Sequence, residues 1–152
     1  VTRHVLRSSR GESKHRLLLV EDNVVNQKVA RRMLENLGYG VDTVADGEAA
    51  IAAWQSGRYS LIFMDCQMPV MDGYEATRGI RAGESNGDRI PIVALTAHAM
   101  KDADRECMEA GMDDYLTKPI ERARLVACLE RWLGSTTGAD PSYAAEKHSM
   151  SQ

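Results

Sequence analysis

Residues 61–73 read LIFMDCQMPVMDG, and they place an acid where an apolar run stops. Leu61 to Met64 predict a buried β-strand, but the chain then reaches Asp65 and a loop that closes at Asp72-Gly73. A carboxylate at the end of a buried strand is either held there at an energetic cost or placed there for chemistry. The surrounding residues decide between these two explanations.

Short apolar runs of this kind recur along the chain and alternate with segments of helical periodicity. We predict strands at Leu17–Val20, Val41–Val44, Leu61–Met64, Ile92–Leu95 and Tyr115–Leu116. This alternation is typical of an α/β fold in which parallel strands form one doubly wound sheet. With right-handed crossovers, five such units predict a five-stranded sheet of order 2-1-3-4-5.

Aspartates are predicted to begin two of the helices, and glycines are predicted to end two others. Asp46 and Asp72 are expected to cap the second and third helices, and Gly38 and Gly111 are expected to end the first and fourth. The core-facing residues predicted for the first helix are Val25, Val29, Met33 and Leu37, with Ala30 and Leu34 beside them. Those predicted for the last helix are Leu125, Cys128, Leu129, Trp132 and Leu133.

The composition predicts one soluble domain. The 152 residues are 43% hydrophobic and 27% charged, which is ordinary for a globular protein. The formal net charge of -3 argues against a nucleic-acid surface, and no apolar run approaches the roughly 20 residues of a membrane span. We therefore expect a cytoplasmic segment that contacts neither nucleic acid nor membrane directly. Cys66, Cys107 and Cys128 have no ligand spacing and are expected to be reduced, mostly buried thiols.

The two ends of the chain differ from its centre. Residues 1–15 are basic and aperiodic, and residues 134–152 are rich in Gly, Ser and Thr, so we expect both to be flexible tails. The folded domain is predicted at residues 16–133. Because the chain has no initial methionine and its last segment is too short for an output domain, we expect a piece of a longer protein.

Polar side chains follow four of the five predicted strands. Glu21-Asp22 follow the first strand, Asp65 the third, Thr96 the fourth and Thr117-Lys118-Pro119 the fifth. Open parallel sheets bind ligands beyond the carboxyl ends of their strands, near the switch in strand order. We therefore expect three acids, one hydroxyl group and one ammonium group to meet at one edge of the sheet.

A cluster of three acids requires a counterion. Two carboxylates about 4 Å apart repel by about 4 kcal/mol at an effective dielectric constant near 20, which corresponds to about three pKa units. Magnesium would relieve this repulsion, with ligands drawn from Asp22, Asp65, a loop carbonyl and water. Lys118 adds a positive charge suited to a phosphoryl group, and a phosphoaspartate at Asp65 would leave the charges nearly balanced.

Four motifs, in this order, resemble those of the receiver domain of two-component response regulators. They are Glu21-Asp22, Asp65 within MDCQMPVMDG, Thr96 within LTAHA, and Tyr115 with Lys118-Pro119 within DDYLTKP. The resemblance covers about residues 16–133 and implies the flavodoxin-like receiver fold. EDNVVNQ and MDCQMPVMDGYEATR are especially similar to the receivers of hybrid sensor histidine kinases.

The resemblance implies a phosphoacceptor and a set of metal ligands. Asp65 would accept a phosphoryl group from a phosphohistidine, and Asp65 and Asp22 would bind Mg²⁺ directly. Glu21 would bind the ion through water, and Gln67 through its backbone carbonyl group. The domain would be enzymatic only in catalysing its own phosphorylation and dephosphorylation.

The remaining motif residues would respond to the phosphoryl group. Lys118 would bind a phosphoryl oxygen, and the Lys118-Pro119 bond would be cis. Thr96 would move to bond the phosphoryl group while Tyr115 swings inward, although Tyr115 is equally explained as a core aromatic residue. His98 is expected at the rim of the site rather than as a general base, where it and Gln67 would tune the lifetime of the acyl phosphate.

The implied partners are a histidine kinase core and a histidine phosphotransfer domain. Asn26, an exposed neighbour of the apolar helix face near the phosphorylation edge, is a candidate partner contact. We favour a receiver from a hybrid histidine kinase, whose parent protein could be membrane-bound, over a stand-alone single-domain response regulator.

Three other functions agree with the fold but not with these residues. An aspartate-nucleophile phosphatase of the haloacid dehalogenase type needs a second Asp where this chain has Gln67. A flavodoxin-like FMN binder needs a glycine- and hydroxyl-rich phosphate loop after the first strand, where this chain has Glu21-Asp22-Asn23. A metal-free pseudo-receiver lacks an acid or the lysine, and this chain has both.

Overall fold

A computed structural model describes residues 15–68, 71–85, 87–97 and 101–134, with the side chains of residues 101–104 outside the description. The strands are β1 (Arg16–Val20), β2 (Gly40–Val44), β3 (Leu61–Asp65), β4 (Ile92–Thr96) and β5 (Asp114–Thr117). The helices are α1 (Val24–Asn36), α2 (Gly47–Trp54), α3 (Gly73–Gly83), α4 (Lys101–Ala110) and α5 (Arg122–Leu133). The predicted tails, apart from residues 15 and 134, lie outside the described residues, as does His98.

The five strands form one parallel sheet. Hydrogen bonds join them in the order β2-β1-β3-β4-β5, which confirms the predicted fold class and strand order. Val20 lies beside Met64, and Thr96 lies beside Thr117. The carboxyl ends of β1, β3, β4 and β5 therefore meet at the same edge of the sheet.

Alternate residues of each strand enter two cores, one on each face of the sheet. One core contains Leu17, Leu19, Phe63 and Leu95 from the strands, with Ala30, Leu34, Leu125 and Leu129 from α1 and α5. The other contains Leu18, Ile62, Met64 and Ala94 from the strands, with Ala50, Ala76, Ile80 and Cys107 from α2, α3 and α4. Because both faces of the sheet are covered, its central strands are continuous apolar runs.

The predicted caps are present at two helix starts. The Asp46 carboxylate accepts a hydrogen bond from the Ala49 amide at 2.8 Å. The Asp72 carboxylate accepts from the Glu75 amide at 2.9 Å, and the Glu75 side chain accepts from the Asp72 amide at 3.3 Å, which completes a capping box. Within the described part of the chain, no helix combines the length and the apolar character needed to cross a membrane.

Helix α5 packs as predicted, but α1 does not. In α1 the buried residues are Ala30 and Leu34, whereas Val25 and Val29 are 67% and 54% exposed. The prediction that these two valines belong to the core was therefore wrong. Ala30 and Leu34 lie on one side of α1, and Val25 and Val29 lie on the adjoining side, which is also apolar. The sheet covers only the side with Ala30 and Leu34, and sequence periodicity alone could not choose between the two.

Gly73, the first residue of α3, permits a close approach to the end of β3. A Cβ atom at Gly73 would overlap the backbone oxygen of Asp65 and would lie 3.0 Å from the Cα atom of Cys66. The Gly73 amide also donates a hydrogen bond to the Cys66 carbonyl group at 3.2 Å. Any side chain at this position must therefore displace backbone next to Asp65.

We expect Gly73→Ala to lower the free energy of unfolding by about 1–3 kcal/mol, because the added methyl group meets backbone that cannot move aside. Gly79→Ala, in the same helix, is the matched control. Its Cβ atom would lie 2.8 Å from Cδ1 of Ile51, the far end of a flexible side chain, and the higher helix propensity of alanine offsets the contact. Urea unfolding of both variants checks this, and an equal loss in both would contradict it.

Candidate functional site

Three carboxylates meet at the carboxyl edge of the sheet. Glu21 and Asp22 follow β1, and Asp65 is the last residue of β3. One carboxylate oxygen from each lies within 4.8 Å of the others. Glu21 and Asp65 are only 2% and 3% exposed, whereas Asp22 is exposed. The structure thus brings together the three acids that the sequence placed at this edge.

Lys118 lies between the two buried acids. Its Nζ atom is 3.1 Å from a Glu21 carboxylate oxygen and 3.2 Å from an Asp65 carboxylate oxygen. The Lys118 amide donates to the Thr96 carbonyl group at 2.8 Å, which fixes the backbone after β5 against the end of β4. The Lys118-Pro119 bond is cis, as predicted. The ammonium group therefore forms ion pairs with two carboxylates, which lie at the ends of the neighbouring strands β1 and β3.

The charges in the cluster are incompletely balanced. Burial, together with the negative charge of Glu21, raises the pKa of Asp65 to about 6, although the Gln67 amide and Lys118 oppose the rise. Burial disfavours the ammonium form of Lys118, but the Glu21 and Asp65 carboxylates outweigh it and raise the pKa of that lysine. One ammonium group is thus not enough to keep the pKa of Asp65 at its ordinary value.

Backbone contacts position the acids. The Asp65 carboxylate accepts a hydrogen bond from the Gln67 amide at 3.1 Å, and the Glu21 carboxylate accepts from the Asn23 amide at 3.2 Å. The Gln27 side chain donates to the Glu21 carbonyl group at 2.6 Å. Because Gln27 lies in α1, these bonds join the acidic loop to the helix that follows it.

The hydrogen bonds of the Asn23 and Gln27 side chains were not predicted from the sequence. The Asn23 side chain caps α1 by accepting from the Asn26 amide at 2.9 Å. A signal for this cap was available, since an asparagine directly before a helical segment is a preferred N-cap. The Gln27 contact had no such signal, because it depends on how the loop folds back over α1.

Thr96 and Tyr115 lie on the neighbouring strands β4 and β5. Thr96 ends β4 and is 5% exposed. Tyr115 lies on β5 beside Ala94 and is partly buried against the core on the α2, α3 and α4 face. Gln67 is exposed two residues after Asp65, and His98 lies outside the described residues. The switching, metal-binding and lifetime-tuning roles of these residues stay predictions.

The cluster fits a hard divalent cation. Its donor set is entirely oxygen, the three carboxylates are mutually close, and Asp22 lies open to solvent, where an ion could enter with part of its water shell. Burial and the negative charge of Glu21 both raise the pKa of Asp65, and a bound cation would favour its charged form. Asp22 and Asp65, with Glu21 nearby, are the residues that could hold such an ion.

Comparison with known proteins agrees with this geometry. A family model described as the response regulator receiver domain matches residues 17–130. The chain belongs to this receiver family. The sheet order and the acidic edge are those that the resemblance implied.

Relatives of this receiver domain occur within larger signalling proteins. It is 46% identical over 121 residues to the Sensor protein GacS of Pseudomonas syringae pv. syringae; the match covers 78% of this chain and 13% of that protein. The chain thus spans a small fraction of the length of that relative. The receiver is homologous to those of hybrid histidine kinases.

Two solved structures are informative about ligands and partners of other receivers. The receiver domain of the sensor histidine kinase PA1611 from Pseudomonas aeruginosa PAO1, with a magnesium ion in its active site cleft, is 53% identical. That match covers 81% of this chain and all of the other, with a TM-score of 0.73. A chain in the co-crystal structure of the Saccharomyces cerevisiae histidine phosphotransfer protein Ypd1 and the Ssk1 receiver domain is 34% identical, with coverages of 78% and 88% and a TM-score of 0.72.

Asp65→Asn is expected to raise the free energy of unfolding of the metal-free protein by about 1–3 kcal/mol at pH 7, because it removes a buried charge. The pKa of Asp65 is higher in the folded than in the unfolded state, so the folded protein binds this proton more tightly. Wild-type stability should therefore increase as the pH falls from about 6 towards 3.8, and Asp65→Asn should lack this increase.

Urea unfolding in the presence of a chelator, repeated across this pH range, measures both effects. Asp72→Asn is the matched control, since asparagine retains the capping acceptor and Asp72 lies outside the acidic cluster. A destabilised Asp65→Asn variant, or an equal gain in the control, would show that the buried charge of Asp65 is not costly.

Proposed function

We propose that this receiver domain accepts a phosphoryl group from a phosphohistidine onto Asp65 in a Mg²⁺-dependent reaction. The observation that carries the proposal is the position of the Asp65 carboxylate, 3.2 Å from the Lys118 ammonium group and in the same cluster as Glu21 and Asp22. A nucleophilic carboxylate beside a cation and a candidate metal site has what phosphoryl transfer requires, namely positioning and charge neutralisation.

The transfer forms one bond and breaks one bond. A carboxylate oxygen of Asp65 attacks phosphorus, the bond between phosphorus and the imidazole nitrogen breaks, and the nitrogen takes up a proton. Asp22 and Asp65 would hold Mg²⁺ directly, with Glu21 acting through water and the Gln67 backbone carbonyl group as a further ligand. The ion would neutralise the carboxylates and the phosphoryl oxygens.

Lys118 would exchange one anionic partner for another. The 3.2 Å distance between its Nζ atom and an Asp65 carboxylate oxygen supports this role, because a phosphoryl group on Asp65 would lie close to the ammonium group. After transfer the acyl oxygens of Asp65 no longer carry the carboxylate charge, and the phosphoryl group becomes the nearby anion. The lysine would therefore stabilise the product more strongly than the starting state.

The conformational response would be a graded shift in populations. A hydrogen bond from Thr96 to the phosphoryl group contributes roughly 1.5–3 kcal/mol. Converting a population ratio from 1:99 to 99:1 requires about 5.5 kcal/mol, so Thr96 alone cannot complete the switch. Inward movement of Tyr115, which is only partly buried, and new bonds from Lys118 and backbone amides would supply the remainder.

We assign this domain to a cytoplasmic part of a hybrid histidine kinase, with a histidine kinase core and a histidine phosphotransfer domain as partners. The relatives named above support this assignment, as does the crystallisation of another receiver with its phosphotransfer protein. The phosphatase alternative gains no support, because Gln67 supplies an exposed amide where that chemistry needs a second acid.

The surface that meets the phosphotransfer domain would be the start of α1. Val24, Val25 and Val29 are 60%, 67% and 54% exposed there, and Asn26 lies among them. The adjoining residue Asn23 bonds to Glu21 in the acidic cluster, so this apolar surface is continuous with the site. A helical partner could therefore bury the valines while its histidine reaches Asp65.

Incubation with Mg²⁺ and acetyl phosphate is expected to add one labile phosphoryl group to the wild-type chain and none to Asp65→Asn. Asp65 supplies the attacking oxygen, and an amide cannot replace it. Intact-mass spectrometry measures the adduct, with Asp72→Asn as a control that should be labelled normally. Absence of labelling on the wild type, or equal labelling of Asp65→Asn, would rule out the proposed function.

Val25→Glu should slow phosphotransfer from a phosphorylated histidine phosphotransfer domain by about tenfold or more, because it places a charge in the apolar contact. Labelling by acetyl phosphate, which needs no docking, should be unchanged. Met108→Glu is the matched control, since Met108 is 66% exposed on α4 and lies outside the α1 surface. Equal slowing by both variants, or none by Val25→Glu, would contradict docking at α1.

A further inference from the structure

Asp22 differs from the other two acids of the cluster in how its carboxylate is held. The Glu21 and Asp65 carboxylates each accept a backbone hydrogen bond, and each pairs with Lys118. Among the described residues, the exposed Asp22 carboxylate has no hydrogen bond and no ion pair, yet one of its oxygens lies within 4.8 Å of oxygens from Glu21 and Asp65. The main chain around Asp22 must therefore set the direction of its side chain.

Hydrogen bonds hold this main chain on both sides of Asp22. Before it, the Glu21 amide donates to the Val44 carbonyl group of β2 at 3.0 Å. After it, the Asn23 amide donates to the Glu21 carboxylate at 3.2 Å. A third bond comes from the side chain of Gln27, whose Nε2 atom donates to the Glu21 carbonyl group at 2.6 Å. That carbonyl group belongs to the planar peptide unit that joins Glu21 to Asp22, so the bond fixes the orientation of this unit.

We propose that Gln27 is a positioning residue for the metal site. Its bond to the Glu21 carbonyl group keeps the Asp22 carboxylate turned towards the other two acids before a cation binds. This role rests on the proposed function, because that function places Mg²⁺ between Asp22 and Asp65. Hydrogen bonds that orient a metal ligand raise the affinity of the site although they do not touch the ion.

Gln27 can hold the loop because its own backbone is fixed at the start of α1. Its amide donates to the Asn23 carbonyl group at 2.9 Å, and the Asn23 side chain caps the helix by accepting from the Asn26 amide at 2.9 Å. Gln27 is also half-buried, whereas its neighbours Asn26 and Lys28 are exposed. The donor therefore comes from an ordered helical turn and lies against the loop rather than in solvent.

Loss of this bond should act on metal affinity and not on the chemical step. Without it, the peptide unit before Asp22 is less restricted, and cation binding must then order the Asp22 carboxylate. Once an ion is bound, the ion itself holds that carboxylate. The nucleophile Asp65 and its partner Lys118 keep all of their contacts, since none of them involves Gln27. A higher Mg²⁺ requirement with an unchanged maximum rate is the expected signature.

The first experiment measures Mg²⁺ binding to the full chain by isothermal titration calorimetry. Gln27→Met keeps most of the side-chain length without the donor, Gln27→Ala removes both, and both substitutes favour a helix. We expect the Mg²⁺ dissociation constant to rise about tenfold in both variants. Gln55→Met is the matched control, because Gln55 is exposed at the end of α2 and outside the acidic cluster, and its dissociation constant should be unchanged.

An unchanged dissociation constant for Gln27→Met, or an equal rise in Gln55→Met, would overturn the proposal. Urea unfolding in a chelator separates positioning from a purely structural role. A structural bond alone would lower the free energy of unfolding of Gln27→Met and leave its Mg²⁺ dissociation constant as in the wild type, and this result would also overturn the proposal.

The second experiment measures labelling by acetyl phosphate as a function of Mg²⁺ concentration. In Gln27→Met the half-saturating Mg²⁺ concentration should rise about tenfold, while the rate at saturating Mg²⁺ stays within about twofold of the wild type. A lower rate at saturation without a shift in the half-saturating concentration would contradict the assigned role. A wild-type chain that binds Mg²⁺ but is never labelled would refute the proposed function, while the role of Gln27 in metal binding would stand.

Discussion

Two nearly inaccessible carboxylates share the single ammonium group of Lys118, and the rest of the site depends on this arrangement. Asp65 and Glu21 are neighbours because β1 and β3 pair directly in the order 2-1-3-4-5, and Lys118 reaches them from beyond β5. Burial strengthens every electrostatic interaction among these groups and also makes their imbalance costly. Burial, reinforced by the negative charge of Glu21, accordingly raises the pKa of Asp65. A bound metal cation would stabilise such a site, and under the proposed function the Lys118 ammonium group would bind the arriving phosphoryl group.

Backbone hydrogen bonds fix the main chain next to Asp65 and at Lys118. The backbone of Cys66 is bonded to Leu95 and Gly73, and the backbone of Lys118 is bonded to Thr96. Gly73 cannot accept a side chain without displacing the end of β3. The backbone that carries the nucleophile and the lysine is therefore preorganised, whereas their side chains can exchange ionic partners. Under the proposed function, a phosphoryl group would thus change the contacts of Lys118 without refolding the sheet edge.

The sheet could be predicted from sequence because its strands are buried on both faces and are therefore continuous apolar runs. Once the strand order followed from the βα alternation, the convergence of Glu21, Asp65 and Lys118 required only that parallel strands end at one edge. The orientation of α1 could not be predicted, since it depends on which of two apolar rows the sheet covers.

The exposure of Val25 and Val29 and the burial of Asp65 both bear on how a partner could reach the site. A nucleophile that is 3% exposed cannot be reached by a flat surface that binds elsewhere on the domain. Under the proposed function, a partner would insert a histidine beside the exposed Asp22 while resting on an adjoining surface. The start of α1 adjoins this entrance through Asn23 and presents apolar side chains that the protein's own core does not cover. The valines that the core leaves uncovered are thus suited to hold a partner beside the exposed Asp22.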